Sequence, residues 1–362
     1  MCTISLCMIV KNEESVLARC LDSVRGIADE IILVDTGSTD ATKDVARRYT
    51  DKVFDFVWVD DFAAARNVSF GHAGMDYCLW LDADDVIEEA DRRRFLELKR
   101  TLSPDTDIVM LPYHTAFDGE GRPTFTYYRE RLIRNHPAYR WTGAVHEVIA
   151  PAGHIVYGEA AVSHRKLRPG DPGRNLRIFE NLRQSGHILS PREQFYYARE
   201  LYYHERYQDA AAAFEHFLDT GEGWVENNID ACRQLSACYA ALGRGKETLA
   251  ALLRSFSYDA PRAEACCDLG GYFLARGQVG TAVFWYELAL TRHADPKTGA
   301  FVSPDCSGYI PCIQLCVCYD RLGDRQKAAA YNDRAEAFKP GDPSCAHNRA
   351  YFENRAAAGE DA

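Results

Sequence analysis

The sequence predicts two domains: an α/β domain with a doubly wound, mostly parallel sheet, and an all-α domain of helical repeats. Two observations support this prediction. Four short apolar runs alternate with helical patterns over the first 85 residues, as in βαβ units. Beyond a turn-rich stretch at residues 169–173 nearly every segment has helical spacing, and similar turns recur 34 residues apart.

The strands of the first domain are predicted from apolar runs that end in polar loops. They cover residues 4–10, 31–34, 53–59 and 78–81. Helices are predicted between them, over residues 11–24, 41–49 and 63–67. Continuous apolar runs are typical of parallel strands, which are buried on both faces of the sheet.

Three carboxylates, Asp82, Asp84 and Asp85, follow the fourth strand at the end where α/β sheets bind ligands. In extended chain residues i and i+2 point the same way, so Asp82 and Asp84 can present oxygens to one cation while Asp85 faces elsewhere. A metal would neutralise the repulsion between these charges. The alternative is that the acids lead into a helix, whose first turn favours acidic residues.

The second strand also ends in an aspartate, Asp35, which precedes a loop of small and polar residues at 36–40. An aspartate in this position can accept hydrogen bonds from the N–H or O–H groups of a nucleobase or ribose. Neither a G-x-G-x-x-G fingerprint nor a G-x-x-x-x-G-K-[ST] loop is present. A nucleotide site here would therefore depend on a divalent metal and on side chains to hold the phosphates.

Four fragments, in this order and spacing, resemble the inverting glycosyltransferases of family 2, which have the GT-A fold. The fragments are residues 7–14, 34–40, 65–67 and 81–85. The resemblance implies a nucleotide-sugar donor, usually a UDP-sugar, with Mn²⁺ or Mg²⁺ held through the D-x-D motif. It also implies roles for six matched positions. Val10 and Glu13 border the base, Asp35 bonds it, Arg66 faces the donor, Asp82 lies near the ribose and the metal, and Asp84 is the main metal ligand.

The stretch 141–147 reads W-x-G-x-V-H-E and follows a predicted hairpin with strands at 108–114 and 124–133. In the subgroup that it resembles, this stretch closes the donor site and meets the acceptor. Inversion at the sugar carbon needs one base on the acceptor side. Glu147 is predicted to be that base, with His146 as the second candidate. The alternative is a packed His146 and a Glu147 that pairs structurally with Arg140 or Arg134.

A third strand-like run at residues 155–162 precedes His164, Arg165 and Lys166. Enzymes of the resembling family often place a histidine here as a further metal ligand, followed by a basic residue that faces the diphosphate. We therefore predict that His164 binds the metal and that Arg165 or Lys166 meets the diphosphate. A neutral imidazole suits Mn²⁺ better than Mg²⁺.

The helical half is predicted to contain tetratricopeptide hairpins. Its turns at Gly243 and Gly277 lie 34 residues apart, and the next, at Gly323, follows after one more period plus an insertion around residues 295–306. Residues 203–210 open a degenerate earlier copy. The predicted domains are 1–185, 186–345 and a tail at 346–362. Such repeats present a face to peptides or to a second copy of the chain, which would form a homodimer.

Composition restricts the partners and the compartment. The net charge of −11 argues against general binding to nucleic acid or to anionic membranes. No signal peptide and no apolar stretch approaching eighteen residues is seen, so we expect a cytoplasmic protein without membrane insertion. The thirteen cysteines follow neither a disulfide framework nor zinc-ligand spacing, and are predicted to be small buried hydrophobes.

A family 2 catalytic domain joined to tetratricopeptide hairpins resembles the sublancin-type peptide S-glycosyltransferases of bacteria, which modify a cysteine of a ribosomal peptide. The resemblance implies transfer of a hexose or N-acetylhexosamine from a UDP-sugar to a peptide or protein acceptor. Thiol and hydroxyl acceptors both stay open. Two alternatives remain: a glycosyltransferase that acts on a cell-envelope glycan, and a catalytically inactive scaffold.

Overall fold

Two units make up the chain, and the boundary between them lies between Leu189 and Ser190. The computed structural model describes residues 1–167 and 170–357, so that Pro169 of the predicted turn lies outside the described residues. The first unit is α/β and the second is entirely helical, which confirms the predicted fold class.

In the described part of the first unit, nine strands form one sheet. They are β1 Ile4–Val10, β2 Glu30–Asp35, β3 Val53–Asp55, β4 Tyr77–Trp80, β5 Asp85–Val86, β6 Ile108–Phe117, β7 Pro123–Arg134, β8 Ile155–Tyr157 and β9 Val162–His164. The strand order is β3-β2-β1-β4-β7-β6-β9-β5, and β8 pairs with β6. The first four strands are parallel, and β7 continues the sheet antiparallel to β4.

The strand order places the carboxyl ends of β1, β2 and β4 side by side. In the register of β1 and β2, Val10 lies opposite Asp35. Strand β1 has β2 on one side and β4 on the other, so the connections reverse direction between β1 and β4. A crevice at such a switch point is where doubly wound sheets bind their ligands.

Among the described residues of this unit, five helices accompany the sheet, and the core between helices and sheet is apolar. They are α1 Leu17–Ser23, α2 Thr42–Ala46, α3 Phe62–Gly71, α4 Glu89–Thr101 and α5 Arg174–Gln184. The side chain of Asp61 caps α3 by accepting a hydrogen bond from Ala64 N at 2.9 Å. Leu6, Leu79 and Phe95 are fully buried in the same apolar cluster.

Two strand predictions were too long. The third strand ends at Asp55 instead of residue 59, because β2, the strand with which it pairs, ends at Asp35 and the ladder stops there. The run 155–162 is two strands: β8 pairs with the start of β6 and β9 pairs further along it, at Tyr113 and His114.

The described residues of the helical unit form four consecutive hairpins and a last helix. The hairpins are α6 Pro191–Tyr203 with α7 Tyr207–Thr220, α8 Val225–Ala241 with α9 Gly245–Arg254, α10 Ala263–Leu274 with α11 Val279–Ala289, and α12 Tyr309–Arg321 with α13 Arg325–Phe338; α14 is Pro343–Ala357. The predicted insertion is confirmed, since it separates α11 from α12.

The turn of each hairpin contains one residue in the left-handed conformation. Gly243, Gly277 and Gly323 have φ angles of 72°, 73° and 79°, and Glu205 takes the same place with φ 58°. At each turn this residue and the next one donate backbone hydrogen bonds to the end of the first helix. The predicted degenerate copy is therefore a complete hairpin in which a glutamate stands where the others have glycine.

Two further findings concern the whole described chain. All thirteen cysteines are free thiols, and twelve of them are buried, as predicted. No helix among the described residues is both long and apolar enough to cross a membrane.

Candidate active site

Asp35 is the last residue of β2, and its two carboxylate oxygens differ in their hydrogen bonds. Its Oδ1 accepts hydrogen bonds from the backbone N–H groups of Gly37 (3.0 Å) and Ser38 (2.9 Å). Its Oδ2 is buried and has no hydrogen-bond partner among the described residues. A buried carboxylate oxygen without a partner is costly. Asp35 is thus prepared to accept a hydrogen bond from a ligand.

Val10 and Glu13 lie beside this loop. The carbonyl of Val10 accepts a hydrogen bond from Thr36 N at 2.9 Å. The backbone N–H of Glu13 donates to Thr42 Oγ1 at 2.7 Å. These bonds fix the loop after β1 against the loop after β2, so the structure brings the predicted base-binding residues Val10, Glu13 and Asp35 to one edge of the sheet.

Arg66, on α3, joins two parts of the site. Its Nη2 donates to Asp82 Oδ1 at 2.8 Å, and its Nε donates to Glu147 Oε1 at 2.7 Å. The guanidinium lies 4.8 Å from the ring centroid of Trp80 and 5.0 Å from that of Trp141. Burial opposes the charge of Arg66, but the two carboxylates outweigh burial and raise its pKa. One buried cation therefore holds the carboxylates of Asp82 and Glu147 close together.

Asn67 fixes the start of the segment that carries Glu147. Its side-chain amide donates to Trp141 O at 2.9 Å and accepts from Trp141 N at 3.0 Å. Thr142 and Val148 then exchange two backbone hydrogen bonds, at 2.9 and 3.0 Å, and close a loop around residues 143–147. Two adjacent side chains, those of Arg66 and Asn67, thus position this loop.

His146 and Glu147 lie within this loop but differ in setting. Gly143 has φ 91° and His146 has φ 54°, a conformation that is uncommon for a residue with a side chain. The side chain of Glu147 is 13% exposed. Its partner is Arg66, so the alternative pairing with Arg134 was wrong: Arg134 bonds Asp107 at 2.9 Å.

Asp84, Asp85 and His164 form a cluster that could hold a metal ion. One ligand atom from each lies within 4.8 Å of the other two. His164 Nδ1 is 3.4 Å from Asp84 Oδ1 and 3.3 Å from Asp85 Oδ1. Pairing of β5 with β9 places Asp85 opposite His164. Two carboxylates and an imidazole are ligands that suit a divalent transition metal.

The cluster differs from the predicted one in its third member. Asp82 is absent from it, and its Oδ1 bonds Arg66 instead. The expectation that Asp85 faces elsewhere was wrong. The reason is that the chain turns after Trp80, with Asp85 N donating to Asp82 O at 3.0 Å, so strand alternation does not apply to residues 82–85.

Two residues that were not predicted from the sequence, Arg131 and Tyr113, donate hydrogen bonds to the carboxylate of Asp85. Its Oδ2 accepts from Arg131 at 3.0 Å and its Oδ1 accepts from the hydroxyl of Tyr113 at 2.9 Å. Both members of the Arg131–Asp85 pair are fully buried. An arginine within the apolar end of the predicted strand 124–133 was the one signal that pointed to such a pair.

The acidic residues respond differently to this environment. Burial disfavours the ionised form of Asp82, but attraction to Arg66 and Arg131 outweighs burial and lowers its pKa to about 2. Burial raises the pKa of Asp84, and repulsion from Asp82 and Asp85 adds to the rise. A hydrogen bond to Asp85 raises the pKa of His164. A bound cation would relieve the repulsion at Asp84.

The two basic residues that follow His164, Arg165 and Lys166, differ in their contacts. Arg165 Nε donates to Glu88 at 3.2 Å, and its guanidinium lies 3.7 Å from the centroid of the Phe117 ring. Lys166 is exposed, and within the described part of the chain it forms no ion pair. Lys166 is therefore the member of the pair that is available to a ligand.

The family model for glycosyl transferase family 2 matches residues 5–155, which include the loops after β1, β2 and β4 and the segment with Glu147. The first unit is a family 2 glycosyltransferase domain. With the helical hairpins of the second unit, this confirms the predicted combination of a GT-A domain and tetratricopeptide-like repeats.

The chain is similar to three known proteins, among others. The TPR repeat-containing protein Synpcc7942_0270 of Synechococcus elongatus is 37% identical over 150 residues, which are 41% of this chain and 36% of that protein. The SPbeta prophage-derived glycosyltransferase SunS of Bacillus subtilis is 26% identical over 220 residues, 58% of this chain and 51% of SunS. The structure of YrrB, a TPR protein with an unusual peptide-binding site, has 18% identity and a TM-score of 0.37, covering 49% of this chain and 83% of YrrB. The matches to the two curated relatives span about a third and about half of those proteins.

Proposed function

We propose that the protein is a metal-dependent, inverting glycosyltransferase that transfers a hexose or N-acetylhexosamine from a UDP-sugar to a peptide or protein acceptor, at a cysteine thiol or a serine or threonine hydroxyl. The observation that carries the proposal is the contact of Arg66 with both Asp82 and Glu147. Asp82 precedes the possible metal-binding cluster of Asp84, Asp85 and His164 in the chain. Its shared contact with Arg66 therefore supports a metal-bound donor lying beside Glu147, a carboxylate that can act as a base.

The donor half of the proposal rests on residues at the ends of β1, β2 and β4. The free Oδ2 of Asp35 accepts a hydrogen bond from an N–H group of the base, while Val10 and Glu13 border it. Asp82 lies near the ribose and Arg66 faces the donor. The exposed Lys166 meets the negative charge of the diphosphate, since Arg165 is already bonded to Glu88.

Asp84 and His164, with Asp82 or Asp85 beside them, would hold Mn²⁺ or Mg²⁺. Their side chains are 20% and 27% exposed, whereas that of Asp85 is fully buried against Arg131. The bound cation supplies stabilisation of the negative charge on the leaving diphosphate.

Glu147 is the proposed base and His146 the second candidate. Oε1 of Glu147 is fixed by Arg66, whereas Oε2 has no hydrogen-bond partner among the described residues and is free to take the acceptor proton. The acceptor sulfur or oxygen then bonds to the anomeric carbon as the bond to the diphosphate breaks, and UDP leaves. Attack opposite the leaving group inverts the anomeric configuration. A thiol has the lower pKa and demands less of this base.

Acceptor binding is assigned to the helical unit, and pairing of two copies through that unit is a further part of the proposal. A cytoplasmic location is also proposed, and the thirteen free thiols support it because reducing compartments preserve thiols.

Thermal-shift titration of UDP and a panel of UDP-sugars, with and without Mn²⁺, tests the donor and metal assignments. We expect stabilisation that requires the metal, that is lost in Asp84→Ala and that persists in Glu89→Gln, a matched control at an exposed acid on α4. The best sugar then enters transfer assays with a cysteine peptide and its serine version. The proposal is wrong if no UDP-sugar stabilises the folded wild-type protein in the presence of Mn²⁺ and none is hydrolysed or transferred.

A further inference from the structure

The insertion between α11 and α12 crosses the first helices of three successive hairpins. We define residues 294–306 as the strap. It contacts α6 through Phe301, lies against residues of α8 along a narrow gap of about 20 Å³, and bonds α10 through Ser303. Hairpin repeats need no such segment, because the connection from α7 to α8 takes only residues 221–224. The strap is therefore an addition that covers one face of the repeats.

Phe301 is the aromatic anchor of the strap. Its ring centroid lies 5.7 Å from that of Phe195, and the guanidinium carbon of Arg199 lies 4.7 Å from it. A guanidinium is attracted to the face of an aromatic ring, and the attraction strengthens as the pair is removed from water. Phe195 is fully buried, whereas Phe301 is half-buried at the surface of the helices. Phe195 and Arg199 of α6 thus form a site for one aromatic side chain, which we call the aromatic seat.

Helix α10 binds the backbone of the strap. Ser303 N donates to Glu264 Oε1 at 2.6 Å, and the thiol of Cys267 donates to Cys306 O at 3.3 Å. Glu264 is 5% exposed. Ser303 is extended, with φ −105° and ψ 107°, and residues 304–307 form one 3-10 turn. Because the bonds go to backbone groups, this part of the face suits a segment by its backbone shape rather than by a particular sequence.

Beyond the strap the same face stays open. A cavity of about 670 Å³ is lined by α8, α9 and α10, and its residues include small ones such as Ala237 and Gly271. Arg233 lines both this cavity and the gap beneath the strap, and it bonds Asp268 at 2.8 Å. The gap beneath the strap and the open cavity therefore adjoin at Arg233. We call the two together the channel, and the strap occupies only part of it.

We propose that this channel is a binding site for an extended peptide segment with an aromatic side chain, and that the strap occupies it as an intramolecular ligand. Phe301 takes the place of the partner's aromatic residue, and the extended Ser303, bonded to Glu264, takes the place of its backbone. A partner displaces the strap and extends over Arg233 into the open cavity. Because the strap is tethered, its effective concentration is of the order of millimolar, and it excludes weak partners. The proposal concerns the helical unit alone and does not depend on the chemistry of the first unit.

The test uses the strap itself as probe. The peptide copies residues 298–306, with acetyl and amide ends and serine in place of Cys306; its control carries alanine in place of Phe301. Binding is measured by calorimetry to the full-length wild type and to a full-length variant whose residues 297–303 are replaced by glycine and serine at equal length. We expect at least tenfold tighter binding to the variant than to the wild type, and loss of that binding with the alanine peptide.

A variant with unchanged circular dichroism and unchanged UDP response that does not bind the peptide would overturn the proposal, as would equal binding to wild type. A second measurement covers the case in which the replaced strap prevents folding. Amide exchange of residues 294–306 should rise at least tenfold in Phe301→Ala and stay unchanged in Phe284→Ala, a control at a phenylalanine that is 59% exposed. Unchanged exchange in Phe301→Ala would show that the aromatic seat does not hold the strap, and would equally contradict the proposal.

Discussion

Arg66 Nε lies 2.7 Å from Glu147 Oε1, although 81 residues separate them in the sequence. The same guanidinium bonds Asp82, so the position of the proposed base depends on the position of the D-x-D stretch. Bonds from two nitrogens of one planar guanidinium fix direction as well as distance. Catalysis and folding of the first unit should therefore both respond to changes at Arg66.

Replacement of Glu147 by glutamine preserves the shape of the side chain but removes its capacity to take a proton. We expect the transfer rate to fall by about 10²–10⁴, with donor affinity changed less than about twofold. Single-turnover assays and UDP-sugar titration measure the two effects. His146→Ala is the matched comparison and should cost less than about tenfold. A larger loss in His146→Ala than in Glu147→Gln would reassign the base to His146.

Lysine at position 66 keeps the charge but cannot bond both carboxylates in the same geometry. We expect Arg66→Lys to lower the free energy of unfolding by about 2–3 kcal/mol, because it disrupts a pair in which Glu147 is nearly buried. Urea unfolding measures the change. Arg93→Lys, at an exposed arginine on α4, should stay within about 0.5 kcal/mol of wild type. Equal stability of the two variants would show that Arg66 is not structural.

Glu30 should make stability depend on pH. Burial raises its pKa, but hydrogen bonds from Lys52, Ser5 and the backbone of Gly74 outweigh burial, and the pKa falls below its ordinary value of 4.5. A carboxyl whose pKa is lowered on folding stabilises the folded state above its unfolded pKa and loses this contribution as pH falls through the folded value. Glu30→Gln should therefore cost about 1–2 kcal/mol at pH 7 and progressively less below about pH 4.5. Urea unfolding across this range is the measurement, and a constant difference would contradict it.

Glu205 should be a site where glycine stabilises the protein. Its φ of 58° is the left-handed conformation that glycine adopts at the other three hairpin turns. An L-residue pays about 1 kcal/mol for this conformation, so Glu205→Gly should raise the free energy of unfolding by about that amount. Gly243→Ala should lower it by a similar amount. Thermal and urea unfolding of both variants test the pair, and a destabilised Glu205→Gly would show that the glutamate side chain contributes more than its backbone costs.

Local patterns in the sequence predicted the elements whose partners are also local or repeated. The apolar runs of β1, β2 and β4 are bounded by polar loops, the glycines at 243 and 277 keep the 34-residue period, and the glycine at 323 follows after one period plus the insertion. Even the degenerate copy near residue 205 was found, because its turn follows the same helix pattern. Strand ends were less predictable, since β3 stops where its neighbour β2 stops.

The sequence by itself determined the two-domain architecture, the resemblance to family 2 and the set of candidate residues, because these depend on residue order and spacing. Tertiary structure alone decided which residues meet. It placed Asp85 rather than Asp82 beside Asp84 and His164, gave Glu147 the partner Arg66 and laid the strap across the repeats. The physical reason is that a turn cancels strand alternation, and that buried charges pair with whichever opposite charge the packed chain brings near.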